Sequence, residues 1–334
     1  MEFGTKKRIL YVAMKYDYGF PERGLSFEHT NFYDALCHMG NELIYFDFMS
    51  IMQETGRESM NRMLLEVAGS EKPDVMFSVL FTDELDKDAV REISENSDTV
   101  TLNWFCDDHW RFDEYSRYWA PMFNWVATTA SSALPKYDRI GYTNVIKTQW
   151  ACNHYSYRRL DLPSTYDVTF VGQPHGDRSY VIEALRKAGI DVQVWGTGWP
   201  NGRLSQERMI RVFNQSRINL NLSNASARPR LSRMLPWRKS AGTQQIKGRN
   251  FEVPGCGGFL LSDHADNLEE YYRIGEEIEC FETTRDLIDK VVYYLRHEEQ
   301  RVRIAEAGYR RTLAEHTYEH RFREIFSAMN VEAR

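Results

Sequence analysis

Short apolar segments alternate with longer amphipathic ones along the first half of the chain. Their lengths and β-branched or aromatic content predict strands at 8–14, 42–48, 73–80, 99–105, 125–129 and 144–150. Between the first four strands, apolar spacings of three and four residues predict helices near 27–39, 50–69 and 84–95. Strand and helix in alternation indicate a parallel sheet with helices on both faces.

The pattern restarts after a polar connection at 152–166, which contains Pro163. Further strands are predicted at 167–172, 191–196 and 218–223, with helices near 177–188 and 205–215. From Asn267 onward the sequence is predicted to be mainly helical. We therefore expect an α/β fold with two Rossmann-like domains facing a central cleft, at 1–155 and 165–315. A C-terminal helix at 316–334 is expected to pack back towards the first domain.

Composition narrows the class of protein. At 334 residues the chain has the length of two ordinary domains, and its formal charge of −6 disfavours a nucleic-acid binder held by general electrostatics. Its five cysteines are scattered and lack CxxC spacing, so we expect neither a disulfide framework nor a zinc site, and a reducing cytoplasm fits best. No stretch of 18 apolar residues predicts a membrane span.

The most informative stretch is QIKGRNFEVPGCGGFLLSD, Gln245 to Asp263. Lys247 and Arg249 precede Glu252 on a predicted short helix, and a glycine turn then leads into a strand. Cationic side chains neutralise a diphosphate, a carboxylate accepts ribose hydroxyls, and glycine lets backbone approach a ligand. The alternative is an ordinary connection in which the glycines cap the helix and the cations are solvated.

This stretch, the following LEEYYRIGEEIECFETTRDLIDKVVYYL and the closing HTYEHRF resemble the C-terminal half of CgeB-like, family-1-type glycosyltransferases. The resemblance covers about 167–326 well. It is looser in the first half, through RGLSFEHTNFYDAL (23–36) and NWFCDDHWRF (103–112). It implies the GT-B fold and transfer of a sugar from a nucleotide-diphosphate sugar, with UDP favoured, to an acceptor hydroxyl.

The resemblance also implies donor-binding roles. Glu252 would hold the ribose hydroxyls, and Gly257 and Gly258 would approach a diphosphate neutralised by Lys247 and Arg249. Many retaining relatives carry a second Glu eight positions before the first, where this chain has Gln244, so the stereochemical outcome stays open.

Two further segments are expected at the donor. Gly198 and Trp199, at the end of a predicted strand, would contact the base. Gly172 and Arg178 would lie near the phosphates at a helix start, with Arg178 as an ordinary helix-surface residue the alternative.

Catalytic candidates come from the first domain. Asp107, Asp108 and His109 follow a predicted strand, and Asp108 or His109 is the preferred base for the acceptor proton. The alternative is that Asp107 or Asp108 caps the next helix.

A second candidate is the loop after the first strand, which would serve the acceptor or the phosphates. It contains Gly24, Ser26, Glu28 and His29, and Ser26 is expected to cap the following helix.

A basic segment at 228–249 precedes the donor stretch, and no acidic residue occurs between Glu207 and Glu252. It is interpreted as a flap ordered by the donor, with two alternatives: a docking surface for an anionic or lipid-linked acceptor, including peripheral membrane contact, or a solvated insertion.

Three rival functions stay open. One is a nucleotide-sugar 2-epimerase, and one is a GT-A enzyme with a metal ion at 107–109. The third is a catalytically silent protein that binds nucleotide sugars. The preferred interpretation needs no cofactor or metal; its partners are the donor and an acceptor that the sequence does not name.

Overall fold

The computed structural model of the protein describes residues 6–223 and 245–330. The chain divides into two compact units. The first combines Met1–Gln149 with Tyr318–Arg334, and the second is Trp150–Thr317.

The first unit is built on a six-stranded sheet in the order β2-β1-β3-β4-β5-β6, and every neighbouring pair is parallel. Its strands are β1 (Arg8–Val12), β2 (Glu42–Phe46), β3 (Val75–Ser78), β4 (Val100–Phe105), β5 (Trp125–Thr128) and β6 (Val145–Lys147). The central strand β3 is buried at every position, as expected for a parallel strand covered on both faces.

Helices cover both faces of this sheet. A π-helix at His29–Tyr33 runs directly into α1, and short 3-10 turns occur in the loops. The α-helices are α1 (Asp34–His38), α2 (Phe48–Thr55), α3 (Arg57–Glu71), α4 (Lys87–Asn96), α5 (Asp108–Arg111), α6 (Arg117–Trp119) and α7 (Leu134–Arg139).

The single helix expected near 50–69 is two helices in the structure. Gly56 separates α2 from α3 with a φ of +84°, a value that L side chains rarely adopt. The prediction of one helix was wrong because apolar spacing alone does not register this break.

The second unit has a five-stranded parallel sheet in the order β11-β10-β9-β7-β8. Its strands are β7 (Tyr166–Val171), β8 (Val192–Trp195), β9 (Ser216–Asn221), β10 (Leu260–Asp263) and β11 (Glu279–Phe281). Its helices are α8 (Arg178–Lys187), α9 (Gln206–Gln215), α10 (Arg249–Gly255), α11 (Thr284–Arg296) and α12 (Glu298–Glu315).

The segment after Asn267 is mainly helical, as predicted, but it also contains the edge strand β11, which was not predicted. This strand is only three residues long and pairs with β10 through the register Ser262 to Cys280. So short a strand leaves no clear period-two pattern in the sequence.

The last helix, α13 (Tyr318–Ala328), belongs to the first unit. Its Phe322 lies 5.7 Å from Phe77, 5.9 Å from Phe32 and 6.4 Å from Trp104 between ring centroids. The helix thus completes an aromatic part of the first unit's interior.

Both sheets share one topology. If the strands of each sheet are numbered from its own first strand, both sheets contain the order 2-1-3-4-5. In this doubly wound order the chain moves from strand 1 to one side of the sheet, and from strand 3 onward to the other side. The prediction of an α/β fold with two parallel, Rossmann-like sheets is confirmed.

Candidate functional site

The winding direction of the second sheet changes between β7 and β9. This switch point predicts the position of a ligand-binding site. In open parallel sheets, ligands lie beyond the carboxyl ends of the strands at such a switch point. The loop after β7 carries Arg178, Ser223 lies just beyond β9, and Asp263 ends the neighbouring β10. The topology therefore selects these residues without reference to any motif.

Two arginines lie close together at this edge. Burial is the main cause that lowers the pKa of Arg178, and the charge of Arg249 lowers it further, whereas the carboxylate of Asp263 raises it. Arg178 is held in place by a hydrogen bond from its Nη1 to the carbonyl oxygen of Gln173, at 3.0 Å. Two cations held near each other at the start of α8 and α10 form a site for an anion.

Within the described residues, three donor atoms at this edge have no hydrogen-bond partner. They are Nε of Arg178, Nε of Arg249 and Oγ of Ser223, all buried. Because buried polar atoms are almost always hydrogen-bonded, a group of such donors calls for a ligand with several acceptor oxygens. A diphosphate meets this requirement, since guanidinium groups donate readily to phosphate oxygens.

Glu252 lies on α10, one turn after Arg249, and is 2% exposed. Burial raises the pKa of its carboxyl group, while the charge of Arg249 and a hydrogen bond from the Tyr157 hydroxyl lower it. The arginine and tyrosine therefore favour the ionised form, which is the form that accepts two hydrogen bonds from a ribose.

Gly172, Gly198 and Trp199 lie at the same edge of the sheet, beyond β7 and β8. The indole Nε1 of Trp199 donates to the carbonyl oxygen of Gly172 at 2.7 Å, so this half-buried ring is fixed against the loop after β7. Gly198 has a φ of +98°, and a Cβ there would lie 3.0 Å from Pro174. The structure thus brings these three residues to the edge that carries Arg178.

Gly257 and Gly258 do not belong to this edge. They precede β10, at its amino end, whereas Asp263 is at its carboxyl end. A Cβ on Gly257 would lie 2.5 Å from Nε of Arg159, and one on Gly258 would lie 2.8 Å from Nδ2 of Asn219. The expectation that they approach a diphosphate is corrected: they lie at the opposite end of β10, and the close approach of Arg159 and Asn219 leaves no room for a side chain there.

Of the basic segment at 228–249, the structure describes only residues 245–249, which include Lys247. Its Nζ donates to Oε1 of Gln245 at 2.7 Å, and its backbone N–H donates to Asn250 Oδ1 at 2.9 Å. Gln244 and the basic positions Arg228, Arg230, Arg233, Arg238 and Lys239 lie outside the described residues.

In the first unit, Asp108 is a core residue. It is 1% exposed, and the Tyr137 hydroxyl donates to its Oδ2 at 2.7 Å. Burial raises the pKa of this carboxyl group, and hydrogen bonds from Ser116, Thr128 and Tyr137 lower it. The preference for Asp108 as the base is corrected, because the group joins α5 to α7 and is closed to solvent.

Asp107 and His109 flank this buried residue and are both half-buried. The backbone carbonyl of Asp107 accepts the N–H groups of Trp110 and Arg111 at 3.1 and 2.9 Å. Its side chain makes no capping hydrogen bond to α5, so the capping alternative is wrong for this carboxylate.

The loop after β1 brings a second carboxylate towards Asp107. Half-buried Glu28 has a raised pKa, mainly through burial, and the charges of Asp17 and Asp107 raise it further. Hydrogen bonds from its own backbone and from Ser26 act in the opposite direction. Two carboxylates from the ends of β1 and β4 thus influence each other at the carboxyl edge of the sheet.

The other loop residues shape this segment. Ser26 Oγ accepts the His29 N–H at 3.0 Å and donates to the Met14 carbonyl at 2.6 Å, which confirms its predicted capping role. Gly24 has a φ of +81°, and its carbonyl accepts the Asp17 N–H at 3.0 Å.

The described parts of the chain, 6–223 and 245–330, contain neither a cluster of metal ligands nor a helix suited to a bilayer. No group of three or more His, Cys, Asp or Glu side chains there could hold a metal ion. No helix there is long and apolar enough to cross a membrane.

Comparison with known proteins gives a partial family match and one distant relative. Residues 178–327 match a family model described as glycosyl transferase-like. The spore protein CgeB of Bacillus subtilis (strain 168) is 22% identical over 217 residues, covering 58% of this chain. The matched region spans 64% of the length of that relative.

Solved structures extend the likeness to both units. A glycosyltransferase from Rickettsia africae ESF-5 matches with a TM-score of 0.64 at 12% identity, over 97% of this chain and 99% of the other. HepE of Anabaena, solved in complex with UDP and glucose, matches with the same TM-score and coverage at 10% identity. The chain therefore has the GT-B fold.

Three residues at the candidate site were not selected from the sequence. Ser223, Asp263 and Tyr157 are common residue types without a motif of their own. A signal was nevertheless available for the first two, because both follow or end a predicted strand, where a doubly wound sheet binds its ligand. Tyr157 lies in the irregular connection before β7, and nothing in its local sequence distinguishes it.

Proposed function

We propose that this protein is a glycosyltransferase that moves a sugar from a nucleotide-diphosphate sugar to an acceptor hydroxyl. The observation that carries the proposal is the group of unpartnered buried donors on Arg178, Arg249 and Ser223 at the switch point of the second sheet. Glu252, one turn from Arg249, would accept the ribose hydroxyls, and Trp199 and Gly198 would lie beside the base.

UDP is the proposed nucleotide. Its support is the structural relative HepE, which was solved in complexes with UDP and with UDP-glucose. Because that likeness is at 10% identity, the choice of base rests on analogy and needs its own measurement.

Metal independence is part of the proposal. Arg178 and Arg249 supply positive charge where the leaving diphosphate would develop negative charge, which is the task that a bound cation performs in other transferases. Turnover that persists in EDTA is the expected result, and loss of turnover that Mg²⁺ or Mn²⁺ restores would contradict it.

We propose Glu28 as the group that takes the acceptor proton. Its pKa is raised towards neutrality by burial and by Asp17 and Asp107, and a base is most effective when its pKa lies near the working pH. Glu28→Gln is expected to lower kcat by about 10²- to 10⁴-fold with little change in donor affinity. Glu22→Gln, an exposed position in the same loop, is the matched control.

A thermal-shift screen with UDP-, GDP-, dTDP- and CMP-sugars tests the function. A donor at 100 times its Kd stabilises the folded state by about 2.7 kcal/mol, so the correct nucleotide should raise the Tm clearly above the others. Product analysis with and without added acceptors then separates transfer from 2-epimerisation, which needs no acceptor. If none of the four donors shifts the Tm, the proposed donor site is wrong.

A further inference from the structure

A cavity of about 610 Å³ lies wholly within the first unit. Its walls come from the loop after β1, the π-helix before α1, the end of β2 and the first turns of α2. The volume is typical of a small-molecule site. Among its lining residues are Lys15, His29, Tyr33, Tyr45, Asp47 and Gln53.

One part of the wall is aromatic. His29 stacks on Tyr33 with ring centroids 4.9 Å apart and planes inclined by 23°. Tyr45 meets Tyr33 edge-on at 4.8 Å and lies 5.4 Å from His29. The two helix residues belong to a π-helical segment, a rare local structure that is frequent at functional sites. Aromatic surface of this kind packs well against the C–H groups of a sugar ring.

Two polar atoms in this wall have no hydrogen-bond partner in the part of the chain that the structure describes. The Tyr45 hydroxyl and Nδ1 of His29 are buried and make no hydrogen bond. The carboxylate of Asp47, in contrast, already accepts hydrogen bonds from the Lys15 N–H and from both the N–H and Oγ of Ser50. Hydroxyl groups suit the two unpartnered atoms because each hydroxyl both donates and accepts.

The charge of the cavity disfavours an anionic ligand. Its lining contains one ammonium group, on Lys15, against two carboxylates, on Asp47 and Glu54. Burial is the main cause that lowers the pKa of His29, and the charge of Lys15 acts in the same direction against the smaller opposing effects of Asp34 and Asp47. His29 is therefore neutral at pH 7.

We infer that this cavity binds a neutral saccharide, whose ring packs on the aromatic wall and whose hydroxyls pair with Tyr45 and His29. The role of this saccharide as the acceptor of the transfer reaction rests on the proposed function. Its binding to the cavity does not depend on that function, because the cavity lies in the first unit and the donor cluster in the second.

Saturation-transfer-difference NMR without any donor tests the inference. The probes are methyl glucoside, sucrose, glucuronic acid and glucose 6-phosphate, titrated into the full chain. The variants are Tyr45→Phe, which removes only the hydroxyl, and His29→Ala. His38→Ala is the control, since His38 is an exposed histidine on α1 outside the cavity lining.

The expected result is binding of the neutral sugars, weakened at least threefold by Tyr45→Phe and His29→Ala and unchanged by His38→Ala. Equal or tighter binding of glucuronic acid or glucose 6-phosphate would overturn the ligand class. No binding of neutral sugars, or binding unaffected by both cavity variants, would overturn the site. Calorimetry of UDP-glucose with the same proteins separates the two proposals. The variants should bind UDP-glucose with the same affinity as wild type. If wild type does not bind UDP-glucose, that result would count against the proposed function alone.

Discussion

The carboxylate of Asp263, at the end of β10, accepts the backbone N–H of Ser223 with both oxygens, at 2.8 and 2.9 Å. This contact fixes the chain just beyond β9 against β10, and it places a negative charge close enough to Arg178 to favour its charged form. Asp263 is therefore interpreted as a residue that holds the proposed phosphate-binding edge in shape, since a carboxylate would repel the phosphates themselves.

Glu252→Gln should raise stability at high pH while weakening donor binding. Burial raises the pKa of Glu252 in the folded protein, so its contribution to stability is complete below the unfolded pKa and is lost as pH rises through the folded value. Glutamine removes that loss but accepts ribose hydroxyls with one oxygen instead of two. We expect the variant to gain Tm relative to wild type at pH 8 and not at pH 4, with UDP affinity lowered at pH 8.

Thermal melts at both pH values and calorimetry with UDP measure the two effects. Glu299→Gln, at an exposed position on α12, should change neither. A Glu252→Gln protein that is no more stable than wild type at pH 8 would show that the carboxylate is not held at an energetic cost.

Asp108 and Tyr137 should act as one structural unit. Tyr137→Phe removes one of the hydrogen-bond donors of a buried carboxylate and is expected to cost about 1–3 kcal/mol of unfolding free energy. The double variant Asp108→Ala with Tyr137→Phe should be less destabilised than the sum of the single changes, with a coupling of about 0.5–3 kcal/mol. Urea denaturation measures all three, and Tyr118→Phe at an exposed site is the control. Additive effects would contradict the contact.

Gly258→Ala should reduce stability without reducing the donor affinity of the folded protein. The added methyl would lie 2.8 Å from Asn219 Nδ2 and 3.1 Å from the Phe213 carbonyl, an overpacking expected to cost about 1–3 kcal/mol. Gly69→Ala, where nothing lies within 4 Å of the added atom, should be neutral or slightly stabilising. If the folded Gly258→Ala protein binds UDP more weakly than wild type, this glycine is part of the donor site and the interpretation is wrong.

The C-terminal helix should be needed for the stability of the first unit. Phe322→Ala removes a fully buried ring that contacts Phe32, Phe77 and Trp104, and is expected to cost about 3–5 kcal/mol. Phe20→Ala, at a position 43% exposed, should cost far less. Equal urea midpoints for the two variants would argue against this packing.

The strand and helix pattern was sufficient to predict both sheets because parallel strands buried on two faces leave near-continuous apolar runs, as in β3. It missed β11 because three residues are too few for a pattern, and it missed the break between α2 and α3 because Gly56 acts through its φ angle alone. A prediction from apolar spacing therefore succeeds for elements long enough to repeat the spacing and fails for shorter elements and single-residue breaks.

The candidate site was harder to predict than the fold. Arg178, Arg249 and Glu252 were selected from their local sequence, whereas Ser223 and Asp263 join them only through strand pairing between distant parts of the chain. Asp108 was misassigned because a carboxylate directly after a strand has the same sequence appearance whether it faces solvent or Tyr137.

Calorimetric titration of UDP into wild type and into the Arg178→Ala and Arg249→Ala variants tests the central claim most directly. Each arginine is expected to contribute charge-assisted hydrogen bonds worth about 1.5–3 kcal/mol, so each change should weaken binding by roughly 10- to 100-fold. Arg310→Ala is the control, because its side chain is 75% exposed and pairs only along α12. Affinity within twofold of wild type in both folded variants would contradict the assignment of this buried arginine cluster as the diphosphate site.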